Sequence, residues 1–192
     1  MLHHNKFALL ALMISIWPFA AIASEAREFL IQSLEEIKSM QSFFEQGMGA
    51  SDKTVTGQLL FQRPNLFRLE ISPPVSQSIT SDGESLWTYD KDLKQVVVKD
   101  LTNSLAEMPF MKLLSKPRAF LEGKEIVSLS ENEKRFKIAI KENGSPIEFV
   151  ELDFTSGLIS RIFIGSRVGA PLEVFFNQMS LLERLPKEEF IF

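Results

Sequence analysis

The stretch from Thr54 to Asp90 constrains the fold most strongly, because short alternating segments there are separated by residues that favour turns. The odd-numbered residues from Val55 to Phe61 share one face of a strand, since strand side chains alternate with a period of two. The odd-numbered residues from Phe67 to Ile71 do the same in the next segment. This pattern predicts consecutive antiparallel strands with one apolar face.

Two turn signals divide this stretch. Arg63-Pro64-Asn65 predicts a strand break that carries a cation, because proline lacks the backbone donor and holds the residue before it extended. A cation beside an apolar face needs hydrogen-bond partners, but Arg63 also fits an ordinary surface loop. Asp82-Gly83 tolerates positive φ and predicts a hairpin with Ile79 and Trp87 on its two arms.

The first 23 residues fit a secretory signal peptide. Lys6 supplies the charged start, an apolar run follows from Phe7 to Trp17, and Ala21-Ile22-Ala23 is a small-x-small cleavage site. An uncleaved membrane anchor is the alternative, but the run is too short to span a bilayer as a stable helix. We therefore expect export, cleavage before Ser24 and a single domain over residues 24–192.

The composition excludes several classes of site. The 192-residue chain has no cysteine, and its two histidines, His3 and His4, lie in the predicted signal peptide. Ser-His-Asp triads, Cys-His dyads and His- or Cys-ligated zinc sites are therefore excluded from the mature chain, as is a lipid anchor on cysteine. The net charge of -4 disfavours binding to nucleic acid or to anionic lipid surfaces.

A carboxylate pair of the glycosidase type is the remaining enzymatic alternative. The acidic residues near aromatic side chains are Asp82, Glu84, Asp90 and Asp92. They occupy predicted turns, where Asp is common for conformational reasons. We therefore predict that the protein is not an enzyme and needs no cofactor or metal.

Two helices are predicted. An amphipathic helix over Ser24–Met40 has its apolar stripe on one side and mostly acidic residues on the other. A membrane-surface helix would more typically carry a basic polar face, so packing on the protein core is favoured. A second, short helix is predicted within Asn103–Ser115, with Pro109 in its first turn and Lys116-Pro117 ending it.

The remaining segments predict further strands around Phe44, Val97 and Ile138, a hairpin of 147–154 with 158–164, and last strands at 172–179 and 189–192. About ten short strands with few helices favour an antiparallel sheet curled into an open or closed barrel, with helices over its mouth. Fifteen phenylalanines follow the predicted signal peptide, which makes an aromatic-lined ligand cavity plausible.

Several linked motifs resemble the LolA family of periplasmic outer-membrane lipoprotein carrier proteins. The motifs are Gly57-x-Leu59-x-Phe61-x-Arg63-Pro64-Asn65-x-Phe67-Arg68-x-Glu70, Ser81-Asp82-Gly83-x-x-x-Trp87-x-Tyr89-Asp90, Gln95-Val96, Pro109-Phe110-Met111 and Leu152-Asp153 with Gly157-Leu158-Ile159. The similarity extends over essentially the whole mature chain, and the motifs are specific only when taken together.

The resemblance implies a mainly β fold, an unclosed antiparallel β-barrel covered by an α-helical lid, with an apolar cavity for the acyl chains of lipoproteins. It also implies a monomeric periplasmic carrier. Cargo would come from an inner-membrane ABC lipoprotein-releasing complex and pass to an outer-membrane receptor lipoprotein. A similar carrier or binding module for another acylated or lipid cargo, or one with a filled barrel and no cargo, stays open as an alternative.

The resemblance also implies roles for single residues. The family's barrel arginine, which holds the lid closed through hydrogen bonds to lid backbone, corresponds to Arg63. The alternation predicts that Phe67 and Leu69 face inward, and Trp87 and Tyr89 are expected on opposite faces of their strand. The full predicted set of lipid-binding residues is Leu30, Leu34, Ile37, Leu59, Phe61, Phe67, Leu69, Ile79, Trp87, Phe110, Met111 and Leu114. For Trp87 and for the Phe110-Met111 pair, ordinary core packing is the alternative.

Overall fold

The computed structural model describes residues 19–47, 54–105, 108–130 and 134–192. These residues form eleven strands in one sheet, four α-helices and one 3₁₀ helix. The helices are α1 Phe19–Glu36, α2 Leu101–Leu105, α3 Pro109–Ser115 and α4 Pro117–Leu121, with the 3₁₀ helix at Lys187–Phe190. The strands are β1 Ser39–Gly47, β2 Thr54–Gln62, β3 Leu66–Ile71, β4 Gln77–Asp82, β5 Ser85–Asp90, β6 Gln95–Asp100, β7 Ile126–Ser128, β8 Lys134–Ala139, β9 Ile147–Thr155, β10 Leu158–Ser166 and β11 Leu172–Leu181.

The sheet is antiparallel and does not close. Its strand order is β6-β5-β4-β3-β2-β1-β11-β10-β9-β8-β7, so that β6 and β7 are the two edges. The order places the N-terminal strand β1 beside β11 near the middle of the sheet. The predicted mainly β fold, an unclosed antiparallel barrel with helices over its concave face, is confirmed.

The alternation in the sequence determines which side chains face the interior. Phe61 pairs with Phe67, and Leu69 pairs with both Leu59 and Ile79 on the neighbouring strands. All of these residues lie in or against the apolar core. Phe67 and Leu69 therefore face the interior side of the sheet.

The N-terminal helix differs from its prediction over Ser24–Met40. Helix α1 begins at Phe19 and ends at Glu36, and Ser39 already pairs with Gln62 in the sheet. Ile37 and Met40 are buried as the apolar stripe required. Both residues could be buried either at the end of a helix or at the start of a strand, so the spacing of apolar residues did not show where α1 ends and β1 begins. The predicted signal peptide lies outside the described residues apart from 19–23, which belong to α1.

The middle of the chain contains three short helices where one was predicted. Pro109 is in the first turn of α3, as expected, but Lys116-Pro117 separates two helices and Pro117 starts α4. Proline suits a first turn because its missing N–H would have no helical partner there. Within the part of the chain that the structure describes, no helix is long and apolar enough to cross a membrane.

The C-terminal segment packs on the outer face of the sheet, and the strand predicted at Glu189–Phe192 is wrong. Residues 187–190 form a 3₁₀ turn instead. Gln62 Oε1 accepts a 2.8 Å hydrogen bond from the Leu185 backbone, and Arg68 Nη1 donates to the Glu189 carbonyl at 3.4 Å. Phe190 is 1% exposed. The chain thus ends as a strap held by side-chain contacts rather than by a β-ladder.

We predict that Phe190→Ala lowers the free energy of unfolding by about 3–5 kcal/mol, because it empties a filled site. Phe192→Ala is the matched control. Phe192 is 54% exposed and contributes mainly ring contacts, so its truncation should cost only about 0.5–1.5 kcal/mol. Urea unfolding of both variants measures the difference, and equal costs would contradict the strap.

Candidate functional site

The interior of the barrel brings together eleven of the twelve predicted lipid-binding residues. Eight are buried, namely Leu30, Leu34, Ile37, Leu59, Phe61, Phe67, Met111 and Leu114. Leu69, Ile79 and Phe110 are partly buried and pack against the same cluster. The cluster joins side chains of α1 and α3 to side chains of β2, β3 and β4, so it is the contact layer between helices and sheet.

This contact layer is closed. Leu30 and Leu34 of α1 and Phe61 of β2 are all 0% exposed, so the helices fill the concave face with their own side chains. An acyl chain can reach these residues only if the helices move away from the sheet. We call α1, α2, α3 and α4 together the lid.

Trp87 is the exception, and its prediction as a cavity residue is wrong. Its ring stacks on Phe192 with centroids 6.2 Å apart, and Tyr89 contacts the same Phe192 ring at 6.1 Å. Leu86, the residue before Trp87, is the one that joins the core. The expectation that Trp87 and Tyr89 lie on opposite faces is also wrong, because residues two apart in a strand share a face.

Arg63 connects the barrel to the lid through backbone carbonyls. Its Nε donates to the Leu114 carbonyl at 2.9 Å, its Nη1 to the Glu35 carbonyl at 3.4 Å, and its Nη2 to the Leu34 carbonyl. Its own backbone N–H donates to the Lys38 carbonyl at 2.9 Å. One guanidinium thus joins the turn after β2 to α1 and α3 at once, and the hydrogen bonds implied by the resemblance are present.

The acceptors of Arg63 lie where helix carbonyls need partners. Leu34 and Glu35 are in the last turn of α1, and Leu114 is in the last turn of α3. The last carbonyls of a helix have no intrahelical donor and carry partial negative charge, so a guanidinium there is favourable. Burial lowers the pKa of Arg63 from its ordinary value, and the nearby Glu35 carboxylate partly offsets this. An arginine still keeps its charge under these conditions.

A second arginine, Arg27, was not predicted. It lies on α1 and its Nη1 donates to the Leu121 carbonyl at 2.6 Å, while its Nη2 donates to the Lys124 carbonyl. It therefore caps the C-terminal end of α4. The available signal was its charge, because Arg27 is the only basic residue between Ser24 and Ile37.

The acidic residues considered for catalysis have turn roles. Asp82 Oδ1 accepts backbone hydrogen bonds from Glu84 and Ser85 at 2.9 and 2.8 Å. Asp90 Oδ1 accepts in the same way from the two residues that lie two and three positions further on. Among the residues that the structure describes, no group of three or more His, Cys, Asp or Glu side chains is placed to hold a metal ion.

The family model described as outer membrane lipoprotein carrier protein LolA matches residues 35–192. The chain belongs to the LolA family. An outer-membrane lipoprotein carrier protein of Francisella philomiragia is 31% identical over 69% of this chain and 66% of that protein. One from Pseudomonas paraeruginosa is 29% identical over 88% of this chain and 84% of that protein. The suspected LolA resemblance is thereby confirmed.

Solved structures support the same fold. The crystal structure of MucB superposes with a TM-score of 0.51 at 16% identity, covering 91% of this chain and 64% of that chain. At this identity the likeness concerns the fold alone. The chain thus shares its overall fold with MucB, and Arg63 lies where its own sheet and helices meet.

We predict that Arg63→Leu loosens the lid without unfolding the sheet. Each hydrogen bond from a charged donor contributes about 1.5–3 kcal/mol, so amide exchange in the last turns of α1 and α3 should accelerate by about tenfold or more. Hydrogen–deuterium exchange measured by mass spectrometry reports this change. Arg68→Leu, on the outer face, is the control and should leave lid exchange unchanged. Equal protection of the lid in Arg63→Leu and wild type would contradict a holding role.

Proposed function

We propose that this protein is a periplasmic carrier that binds the acyl chains of lipoproteins in its apolar interior and moves them from the inner to the outer membrane. In this proposal Arg63 is the lid latch, and the interior cluster becomes the lipid-binding surface once the lid moves. The protein acts as a chaperone for its cargo and not as an enzyme. Membership of the LolA family and the names of its relatives support the carrier role.

One observation carries the proposal, namely that polar donors on a single barrel residue hold an otherwise apolar contact layer shut. Arg63 bonds to the carbonyls of two lid helices, whereas the layer beneath consists of residues such as Leu34, Leu59 and Phe67. An apolar layer of this kind takes acyl chains without selecting their detailed shape, because the hydrophobic effect is not directional. A few hydrogen bonds then suffice to choose between the closed and open forms.

The energetics favour a carrier that must also release its cargo. A buried acyl chain of about 16 carbons gains on the order of 13 kcal/mol at ~0.8 kcal/mol per methylene, so free diffusion through water is prohibitive. In this protein the acyl chain replaces lid side chains that already fill the interior. The cost of displacing them offsets part of the gain, and closing again promotes release.

The cellular setting follows from the same proposal. The signal peptide over residues 1–23 is cleaved and residues 24–192 work as a monomer in the periplasm. The protein accepts cargo from an inner-membrane ABC lipoprotein-releasing complex and passes it to an outer-membrane receptor lipoprotein. An alternative cargo, another acylated protein or lipid, uses the same interior and differs only in what the protein recognises outside the acyl chain.

We predict that Leu69→Glu abolishes uptake of an acyl fluorophore, because it places a carboxylate in the proposed lipid surface. Leu69 is the better position than Phe67, since Phe67 is fully buried and a charge there would unfold the chain. Leu60→Glu is the matched control, on the outer face beside Arg68. If wild type takes up no fluorophore, the protein is a filled barrel and the carrier proposal fails.

We predict that Arg63→Leu takes up cargo but hands it on poorly. Leucine keeps the bulk of the side chain but has no hydrogen-bond donors. The closed, empty form therefore loses about 1.5–3 kcal/mol for each hydrogen bond, and it no longer competes with the cargo-bound form. A two-step assay with purified partners scores loading and transfer to the receptor separately. Transfer as fast as in wild type would contradict a latch role for Arg63.

A further inference from the structure

Helix α1 is attached to the barrel very differently at its two ends. Its C-terminal end continues through Ile37 and Lys38 directly into β1, in the middle of the sheet. Its N-terminal half is held by side-chain contacts. If α1 swings away from the barrel, its N-terminal half therefore travels furthest.

Arg27 fastens this N-terminal half to α4 and to the loop between α4 and β7, next to one edge of the sheet. Its guanidinium donates to the carbonyls of Leu121, at the end of α4, and Lys124, two residues before β7 begins at Ile126. The contact therefore joins the N-terminal half of α1 to the end of α4 and to the loop that leads from α4 into β7. It resembles the Arg63 contact, since each arginine donates to a carbonyl in the last turn of a helix: Arg63 to α1 and α3, and Arg27 to Leu121 of α4.

An aromatic group lies behind the Arg27 contact. The Phe29 ring of α1 stacks on Phe136 at 5.4 Å and meets Phe154 edge-on at 5.6 Å, and Lys134 Nζ lies 4.8 Å from the Phe29 ring centroid. Phe136 and Phe154 belong to the buried core. A cleft of about 590 Å³ opens here and is lined by Glu25, Ala26, Phe29, Ser128, Leu129, Ser130, Lys134 and Phe136. We call it the α1–β7 seam. Two of its lining residues, Ala26 and Phe136, belong to the buried core.

The seam runs along one of the two edges of the sheet. β7 is an edge strand of only three residues, and it pairs with one strand, β8. Separating α1 from β7 therefore breaks side-chain contacts and the two Arg27 hydrogen bonds but no ladder hydrogen bond. Elsewhere, an opening between neighbouring strands would break a ladder.

We propose that Arg27 is a second latch of α1, positioned at the end that moves, and that acyl chains enter the barrel through the α1–β7 seam. This inference rests on the proposed carrier function and adds to it a positioning residue and an entry route. Arg63 then holds the hinge end of α1 and Arg27 holds its far end. The Phe29 group gives an entering acyl chain its first apolar contact.

Stopped-flow uptake of an acyl fluorophore tests the latch. Arg27→Leu should accelerate uptake by about tenfold, because the two charged hydrogen bonds it removes are broken before entry. Arg27→Lys keeps the positive charge and part of the hydrogen bonding, so its uptake rate should lie between those of wild type and Arg27→Leu. Arg118→Leu is the matched control, since Arg118 joins the same two helices through the Glu35 side chain at 2.8 and 3.0 Å, at the hinge end of α1. It should leave the uptake rate within about twofold of wild type, as expected for an exposed ion pair.

A second measurement tests the route without changing Arg27. The chain has no cysteine, so Ser128→Cys and Val127→Cys each provide one site for a bulky maleimide. Ser128 lines the seam, whereas Val127 is exposed on the other face of β7. The adduct at Ser128 should slow uptake by about tenfold or more relative to the adduct at Val127, because bulk at the entry blocks the chain.

The outcomes separate the two proposals. An unchanged uptake rate in folded Arg27→Leu overturns the second latch. Equal uptake rates for the two adducts overturn the entry route. In both cases uptake by wild type still supports the carrier. Absence of uptake in wild type overturns the carrier itself. If Arg27→Leu does not fold, the uptake rate of Arg27→Lys still tests the second latch, and the two adducts still test the entry route.

Discussion

In this structure one guanidinium is bonded to the carbonyl ends of two helices and joins the lid to the sheet. Arg63 lies in the turn after β2, and its acceptors are in the last turns of α1 and α3. Without these bonds α1 and α3 would rest on the sheet chiefly through apolar contacts, which do not distinguish lid side chains from acyl chains. The hydrogen bonds supply the geometric specificity that the apolar contact layer lacks. They make closure a defined state.

The sheet and the lid are stabilised by different kinds of contact. The sheet has a continuous ladder from β6 to β7, and the C-terminal strap with buried Phe190 covers part of its outer face. The lid consists of short helices and is fastened by side chains, chiefly Arg63 and Arg27. Opening the lid therefore costs a few hydrogen bonds and apolar contacts, whereas opening the sheet would break a ladder. The lid is therefore the part that we propose moves.

Much of the site could be predicted because strand alternation is strictly local. Phe61, Phe67 and Leu69 had to share one face once their segments were strands, and all three lie inward. The family motifs then placed Arg63 next to the lid. Local pattern failed where two structures fit the same burial, as at Ile37 and Met40, where α1 gives way to β1. It also failed at the C-terminus, where residues 187–190 turn because contacts with the outer face hold them.

The sequence by itself determined the antiparallel sheet, its apolar face and the position of a cation at the proline-broken end of β2. Only the tertiary structure decided which groups that cation meets, that Trp87 stacks on Phe192 outside the barrel, and that Arg27 fastens α1 beside β7. The physical reason is that the acceptors of both arginines are backbone carbonyls. Every residue has one, so a carbonyl carries no signature in the sequence, and its availability depends on where a helix ends in space.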